Sequence, residues 1–267
     1  MNQPSNSSDH NNETQPRFNR DTRPPSTAAP RRIPLKFAAN KSTATYTLMG
    51  ITIFVFALQM ISVQLTGADL PIMVGAKIND AIAHGQLWRL ITPMFLHGDF
   101  IHIAFNMYAL HIIGSRLERH YGHWRFLALY LLSGFGGNVI SLMFTEASSL
   151  GASTATFGLL AAQGIFFYHN RKIYGPAVRQ ALNGIITVLV INLMIGFSNR
   201  IDNWGHIGGL LGGIIFAWLA GPLLDVCGDY PNQLICDQRK SSDVVQAVVI
   251  TFTFFAVLTA GAIYLMN

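Results

Sequence analysis

The chain has 267 residues, of which 51% are hydrophobic and only 12% charged. Soluble globular proteins carry about 25% charged residues. Half that share, with a mean hydropathy of +0.35, argues against an ordinary soluble domain of this length. The apolar residues also come in blocks of spanning length, which points to a bilayer.

Residues 1–44 differ from the rest. They are rich in Asn, Ser, Thr, Pro and Arg and contain no apolar run of signal-peptide length. They hold seven Lys/Arg against three Asp/Glu, and so carry +4 of the formal net charge of +5. The basic pI of 9.4 is therefore a property of the tail. The tail is expected to be disordered, cytoplasmic and in contact with anionic lipid. Nucleic-acid binding would call for basic residues interleaved with aromatics on a folded face, and no such partner is expected.

A helix needs roughly 20 apolar residues to cross the hydrocarbon core. The pattern predicts seven spans: Thr45–Leu65, Phe100–Leu117, Trp124–Phe144, Ala152–Tyr168, Val178–Phe197, Trp204–Leu224 and Val244–Met266. Basic loop residues orient them. With the N-terminus inside, fifteen Lys/Arg lie on the inner side, and only Lys77, Arg89 and Arg200 lie outside. The expected divisions are a tail (1–44), a six-span core (45–224), a cytoplasmic linker (225–243) and a C-terminal span (244–267), which leaves the C-terminus outside.

The loop between the first two spans, about residues 66–97, is long and rich in apolar residues, as functional loops often are. Its Trp88 and Arg89 suit a membrane interface, with the indole at headgroup level and the arginine snorkelling. Cys227 and Cys236 lie in one polar inner loop and form neither a disulfide framework nor a paired zinc motif.

Polar side chains inside a bilayer are costly and mark function or interhelical hydrogen bonds. His102 and Asn106 are four apart and share one face of the second span, as a packing pair or as donors for an oxyanion. Ser153 opens the fourth span among small residues, where a neighbouring helix can approach closely. An isolated serine there is otherwise ordinary, its hydroxyl bonded back to the preceding turn. His206 begins the sixth span, and Gly205, Gly209 and Gly213, with Gly208 and Gly212, form a strip nearly free of side chains. Simple helix packing explains that strip, as does a general base brought against a nucleophile. All four polar residues fall at the outer ends of spans that run in the same direction, so they share one depth. That match favours chemistry. No Asp or Glu lies within the sixth span, and Asp202 is assigned to the outer loop, so a Ser–His dyad is the natural arrangement.

At these residues the chain resembles the rhomboid family of intramembrane serine proteases, over roughly Gly85–Pro222. The matching pieces come in order: Gln86-Leu87-Trp88-Arg89, Phe95-Leu96-His97-Gly98, His102 with Asn106, Glu118-Arg119 with Tyr121-Gly122, Ser153 with Phe157-Gly158, and His206 with Gly209 and Gly213. The resemblance implies an all-α polytopic membrane protein with a six-helix core plus one C-terminal transmembrane helix. It implies Ser153 as nucleophile and His206 as its base. His102, Asn106 and the Ser153 backbone N–H would stabilise the oxyanion, and Phe157 would support the His206 ring. Trp88 and Arg89 would shape the outer loop, and Glu118 would be a structural polar partner near the inner end. Thr154 departs from the family, which usually has Gly after the nucleophile. A stiffer β-branched residue bears on the turn that exposes Ser153 or on the width of the oxyanion pocket.

The expected activity is cleavage of single-span membrane proteins near the outer face of a bacterial plasma membrane, with no metal or cofactor. A zinc pair at His97 and His102 lacks the HExxH spacing. An aspartyl protease reading of Asp229 lacks a second intramembrane Asp. A transporter would show internal repeats and ionisable groups at the midplane. His120 and His123 are expected to be solvated in an inner loop. The alternative from another class is a catalytically silent rhomboid-like binder, for which Thr154 is the only support.

Overall fold

The computed structural model describes residues 1, 41–196, 201–229 and 233–267. The expected tail therefore lies almost wholly outside the described residues, as do Arg200 and Phe197, the expected end of the fifth span. Residues 1–34 and 35–267 are separate units, and the fold below belongs to the second.

Helix α1, Thr43–Thr66, has no charged side chain over 24 residues and stops at Gly67 in a left-handed conformation. The outer loop follows, with α2 (Leu70–Gly75), α3 (Asn79–Ala83) and two 3-10 turns at Leu87–Leu90 and Thr92–Phe95. Asp99 caps α4 (Phe100–Ala109) by accepting the His102 N–H at 2.8 Å. A π-helical turn, Leu110–Gly114, carries α4 directly into α5 (Ser115–Tyr121), so the expected second span is one helix with a widened turn. Next come α6 (His123–Phe144), α7 (Ser153–His169), a short α8 (Arg171–Tyr174), α9 (Ala177–Ile195) and α10 (Asn203–Ala220). Strands β1 (Leu224–Cys227) and β2 (Leu234–Asp237) form an antiparallel hairpin before α11 (Ser241–Met266).

Helices thus stand at all seven expected positions. Four of them, α1, α6, α9 and α11, are long and apolar enough to cross a membrane. In α4–α5, α7 and α10, polar residues and glycines dilute the apolar run or the segment is shorter. Burial separates the roles: 78% of the apolar window of α6 is buried, against 22% of α1 and 11% of α9. Helices α6, α7 and α10 form the centre, while α1 and α9 turn most of their apolar surface outward.

Glycines allow this centre to close. The expected single strip on α10 is two adjacent faces. Added Cβ atoms on Gly209 and Gly213 would meet backbone of Thr154 and Gly158 on α7, and one on Gly208 would meet the Gly136 carbonyl on α6. Helix α10 is wedged between both neighbours at backbone distance, as small residues permit in membranes. Phe255 of α11, fully buried, fills the space over Gly136 and approaches Gly212.

Three expectations need correction. Arg89 does not snorkel. It is 6% exposed, and its guanidinium donates to the Ala76 and Met73 carbonyls at 2.8 and 2.7 Å, because the end of α2 leaves carbonyls without helical partners. Trp88 does remain exposed, with Nε1 donating to the Val74 carbonyl at 2.9 Å. His120 is not simply solvated but stacks on Phe166 with centroids 4.5 Å apart, and His123 Nδ1 bonds to Glu118. Glu118 is fully buried and also accepts from the Ala44 and Thr45 N–H groups at 2.8 and 2.7 Å and from Thr45 Oγ1 at 2.6 Å. It ties the start of α1 to the end of α5. Finally, the linker includes the paired strands β1 and β2, and Cys227 and Cys236 join them as a disulfide, an arrangement that two loop cysteines did not suggest. Asp237 anchors the hairpin to Arg125 at 2.7 Å.

Candidate active site

The nucleophile candidate sits where a loop turns into a helix. Gly151 has φ +125, a conformation open to glycine and strained for other residues. A Cβ there would also lie 2.7 Å from His102 Nε2. Gly151 N–H donates to the Pro93 carbonyl at 2.8 Å, which docks this turn on the outer loop. Ala152 is the N-cap of α7 and Ser153 its first residue, so the Ser153 N–H is one of the first-turn donors that lack an intrahelical acceptor.

His206 lies in the first turn of α10, 6% exposed. Its Nε2 is 2.9 Å from Ser153 Oγ, within reach for proton transfer. Phe157, one turn beyond Ser153, stacks on the imidazole with centroids 4.1 Å apart and planes 9° from parallel. His206 Nδ1 has no hydrogen-bond partner among the described residues. No carboxylate among the described residues is bonded to that far nitrogen.

His102 stands over the Gly151 turn. The space above Gly151 is bounded by His102 Nε2 and, at 3.8 Å, by Ser153 Oγ. Asn106 is 6% exposed and lies one turn deeper, with Nδ2 donating to the His102 carbonyl at 3.0 Å. The structure therefore brings Ser153 and His206 into direct contact and sets His102 against the Gly151 turn that precedes the serine. Asn106 stands behind His102, with its amide on its own helix.

Thr154 points away from this cluster. Its side chain, 7% exposed, fills the notch left by Gly137 and Gly205, where added Cβ atoms would come within 2.5 and 3.1 Å of it.

Two residues take places here that the sequence did not give them. His97 is almost fully buried, accepts the Ala152 N–H on Nε2 at 3.4 Å, and packs edge-on against His102 with centroids 5.0 Å apart. Gln59 of α1 fixes its backbone, accepting the His97 N–H at 3.1 Å and donating to its carbonyl at 2.9 Å. Burial pushes the His97 imidazole down to about 3, with the neighbouring His102 acting in the same direction, so it stays neutral. The second is Asp202, which is the N-cap of α10 and accepts the Gly205 N–H at 2.9 Å. An Asp just before a helical run is an N-cap signal that would have moved it out of the loop. Among the described residues no group of three or more His, Cys, Asp or Glu could hold a metal ion.

A serine hydrogen-bonded to a stacked imidazole, with a second histidine near by, lies at one end of glycine-packed apolar helices. Residues 84–223 match the family profile described as Rhomboid domain, and the chain belongs to the rhomboid family of integral membrane proteins. It is 38% identical over 220 residues to the Rhomboid protease GluP of Bacillus subtilis (strain 168), covering 82% of this chain and 41% of that one. It is 36% identical over 209 residues to RHOMBOID-like protein 5 of Arabidopsis thaliana, covering 75% of this chain and 67% of that one. The chain thus spans about two fifths of the length of the Bacillus relative.

Proposed function

We propose that this protein is an intramembrane serine endopeptidase that cleaves single-span membrane proteins near the outer membrane face. The observation that carries the reading is the 2.9 Å contact between Ser153 Oγ and His206 Nε2, with Phe157 stacked on the imidazole. The resemblance to a Bacillus protein named a rhomboid protease supports it.

In this reading Ser153 Oγ attacks the scissile carbonyl carbon as its proton passes to His206 Nε2. Negative charge moves to the carbonyl oxygen, beside the Ser153 N–H and His102, with Asn106 able to swing its amide inward. Donors aimed at such an oxygen are worth far more in a low-dielectric site than in water. Collapse breaks the C–N bond, and His206 returns the proton to the leaving amine. Water then repeats the sequence on the acyl-serine, giving a free carboxyl and regenerating the dyad.

The membrane arrangement belongs to the same proposal. Helices α4–α5, α7 and α10 complete a six-span core with α1, α6 and α9, and α11 adds a seventh span. The basic tail and the inner loops face the cytoplasm of a bacterial cell. Residues 45–224 act as the catalytic core, and the hairpin linker leads to the last span. Thr154, the only sequence feature for a silent binder, packs between helices, so nothing specific favours that reading.

The test is cleavage of a single-span reporter by purified protein in liposomes, with fluorophosphonate labelling alongside. Ser153→Ala and His206→Ala are expected to abolish cleavage, and Ser153→Ala to abolish labelling. Cleavage by both variants at the parental rate overturns the assignment.

A further inference from the structure

Asp202 carries more contacts than a helix cap needs. Its Oδ1 accepts the Gly205 N–H at 2.9 Å and Thr145 Oγ1 at 3.0 Å. Its Oδ2 accepts from Ser141 Oγ, and Ser141 is fully buried. Its carbonyl takes the His206 N–H at 3.1 Å. One carboxylate therefore pins the first turn of α10, which bears His206, to the end of α6.

The same end of α6 holds an unusual cation. Lys77 of the outer loop is fully buried. Its Nζ donates to the Thr145 and Ala147 carbonyls at 2.6 and 3.1 Å, and its backbone pairs with Ser149 at 3.0 and 3.2 Å. Ser149 Oγ in turn lies 3.4 Å from Ser141 Oγ. Lys77 is in electrostatic range of Asp202. Buried charges persist when they are well hydrogen-bonded, and both Lys77 and Asp202 bond to residues of the stretch 141–149 without touching each other. That stretch leads directly into Gly151 and Ser153. A single network thus fixes the loop that delivers the nucleophile and the turn that delivers the base.

We propose that Asp202 is a positioning residue for the Ser153–His206 dyad, with buried Lys77 of the outer loop as its balancing charge. The proposal rests on the protease reading and adds to it the device that registers α10 against the α6–α7 loop. Asp202 acts from one turn before His206 and is not hydrogen-bonded to the imidazole, so it is not a third catalytic residue. A dyad whose far nitrogen is unbonded has to be oriented by other means. The Phe157 stack fixes the ring plane, and Asp202 fixes the backbone that carries the ring.

The experiment uses the full chain in liposomes with a single-span reporter, reading kcat, KM, fluorophosphonate labelling rate and unfolding temperature. Asp202→Asn keeps a capping acceptor but loses the charge, and Asp202→Ala loses both. Misplacing reacting groups by about 1 Å costs roughly a hundredfold in rate, which sets the expected loss of kcat in Asp202→Ala. Asp202→Asn is expected to recover part of it, because Asn is nearly as good an N-cap as Asp. KM is expected to stay within about twofold, because substrate contacts are untouched, and the labelling rate to fall with kcat. Lys77→Met alone leaves a carboxylate without its counter-charge and is expected to lose activity. The Lys77→Met, Asp202→Asn double variant is expected to lose less than the two single losses multiplied, as coupled sites do. Parental kcat in both Asp202 variants overturns the proposal, as does a proportional rise in KM with kcat retained. A strictly multiplicative double variant removes Lys77 from it. If Ser153→Ala itself cleaves at the parental rate, the protease reading fails instead, and the two failures are told apart.

Discussion

Gly209→Ala probes the packing that brings His206 and Ser153 together. Gly209 lies on α10 three residues after His206. A Cβ at that position would stand 2.0 Å from the Thr154 carbonyl oxygen and 2.8 Å from its carbon. Ordinary contact starts at 3.4 Å, so α7 and α10 must part locally by about 1.4 Å to admit the methyl. The obstacle is main chain of a buried helix, so no rotamer change relieves it, and close-packed interiors transmit such strain. Ser153 and His206 sit on these same two helices at 2.9 Å. Separation on that scale takes them beyond hydrogen-bond range. A displacement of about 1 Å costs roughly a hundredfold in rate. We expect kcat to fall by about that factor, with KM little changed and fluorophosphonate labelling slowed in parallel.

The assay is reporter cleavage in liposomes at several substrate densities. Gly50→Ala and Gly184→Ala serve as controls, because an added Cβ at either meets nothing within 4 Å; both are expected to cleave at the parental rate. Gly209→Ala at the parental kcat would refute the argument, since α10 would then have room that the structure denies it. A loss of activity in the two controls equal to that in Gly209→Ala would refute it equally, because the effect would not follow proximity.

Further outcomes follow from the same geometry. Phe157→Ala removes the ring stacked on His206 and is expected to lower kcat roughly tenfold with KM preserved, as loss of orientation does. Phe255→Ala empties a fully buried site over Gly136 and should cost about 3–5 kcal/mol of stability, read as a lower unfolding temperature with Ser153 still labelled in the cold. His97 gives a pH dependence. Its folded value is depressed to about 3 from 6.5, so between these values the unfolded chain binds a proton that the folded chain refuses. Its contribution is whole above pH 6.5 and is lost as pH falls toward 3, about 2 kcal/mol of it by pH 5. Thermal unfolding at pH 7.5 and pH 5 should show this loss in the parent and a flatter dependence in His97→Gln; equal slopes would refute it.

What was legible in the sequence had local or periodic causes. Runs of apolar residues located the helices to within a few positions, since spanning length is a property of the segment itself. Ser153, His206, His102 and Asn106 stood out because polar groups are expensive in an apolar run. The misreadings share another cause. Arg89, His123 and Asp202 each satisfy partners distant in sequence or at an element end, and no periodicity announces such bonds. Arg89 looked like an interface residue because its flanks are apolar, yet its role is to bond carbonyls at the end of α2. The glycines of α10 read as one strip, although the spacing of four that aligns Gly205, Gly209 and Gly213 also sets Gly208 and Gly212 on a second face toward α6.

Thr154 shows how the structure changes the meaning of a departure from the family pattern. From the sequence, a β-branched residue after the nucleophile bears on the turn or the oxyanion pocket. In the structure its side chain fills the notch between Gly137 and Gly205, and its buried Oγ1 has no hydrogen-bond partner among the described residues. An unsatisfied buried hydroxyl costs about 1–3 kcal/mol. Thr154→Val keeps the shape and removes that cost, and is expected to raise stability by about 1 kcal/mol with cleavage unchanged. Thr154→Gly empties the notch and adds the penalty of glycine in a helix, about 1 kcal/mol, so it should unfold at lower temperature while Ser153 labels at nearly the parental rate. The two accounts part on Thr154→Gly. If the residue constrains the oxyanion site, restoring the family's glycine raises kcat several-fold with little change in stability. If it is a packing residue, stability moves and chemistry does not. The geometry of the notch supports the second, and kcat beside unfolding temperature for these two variants decides it.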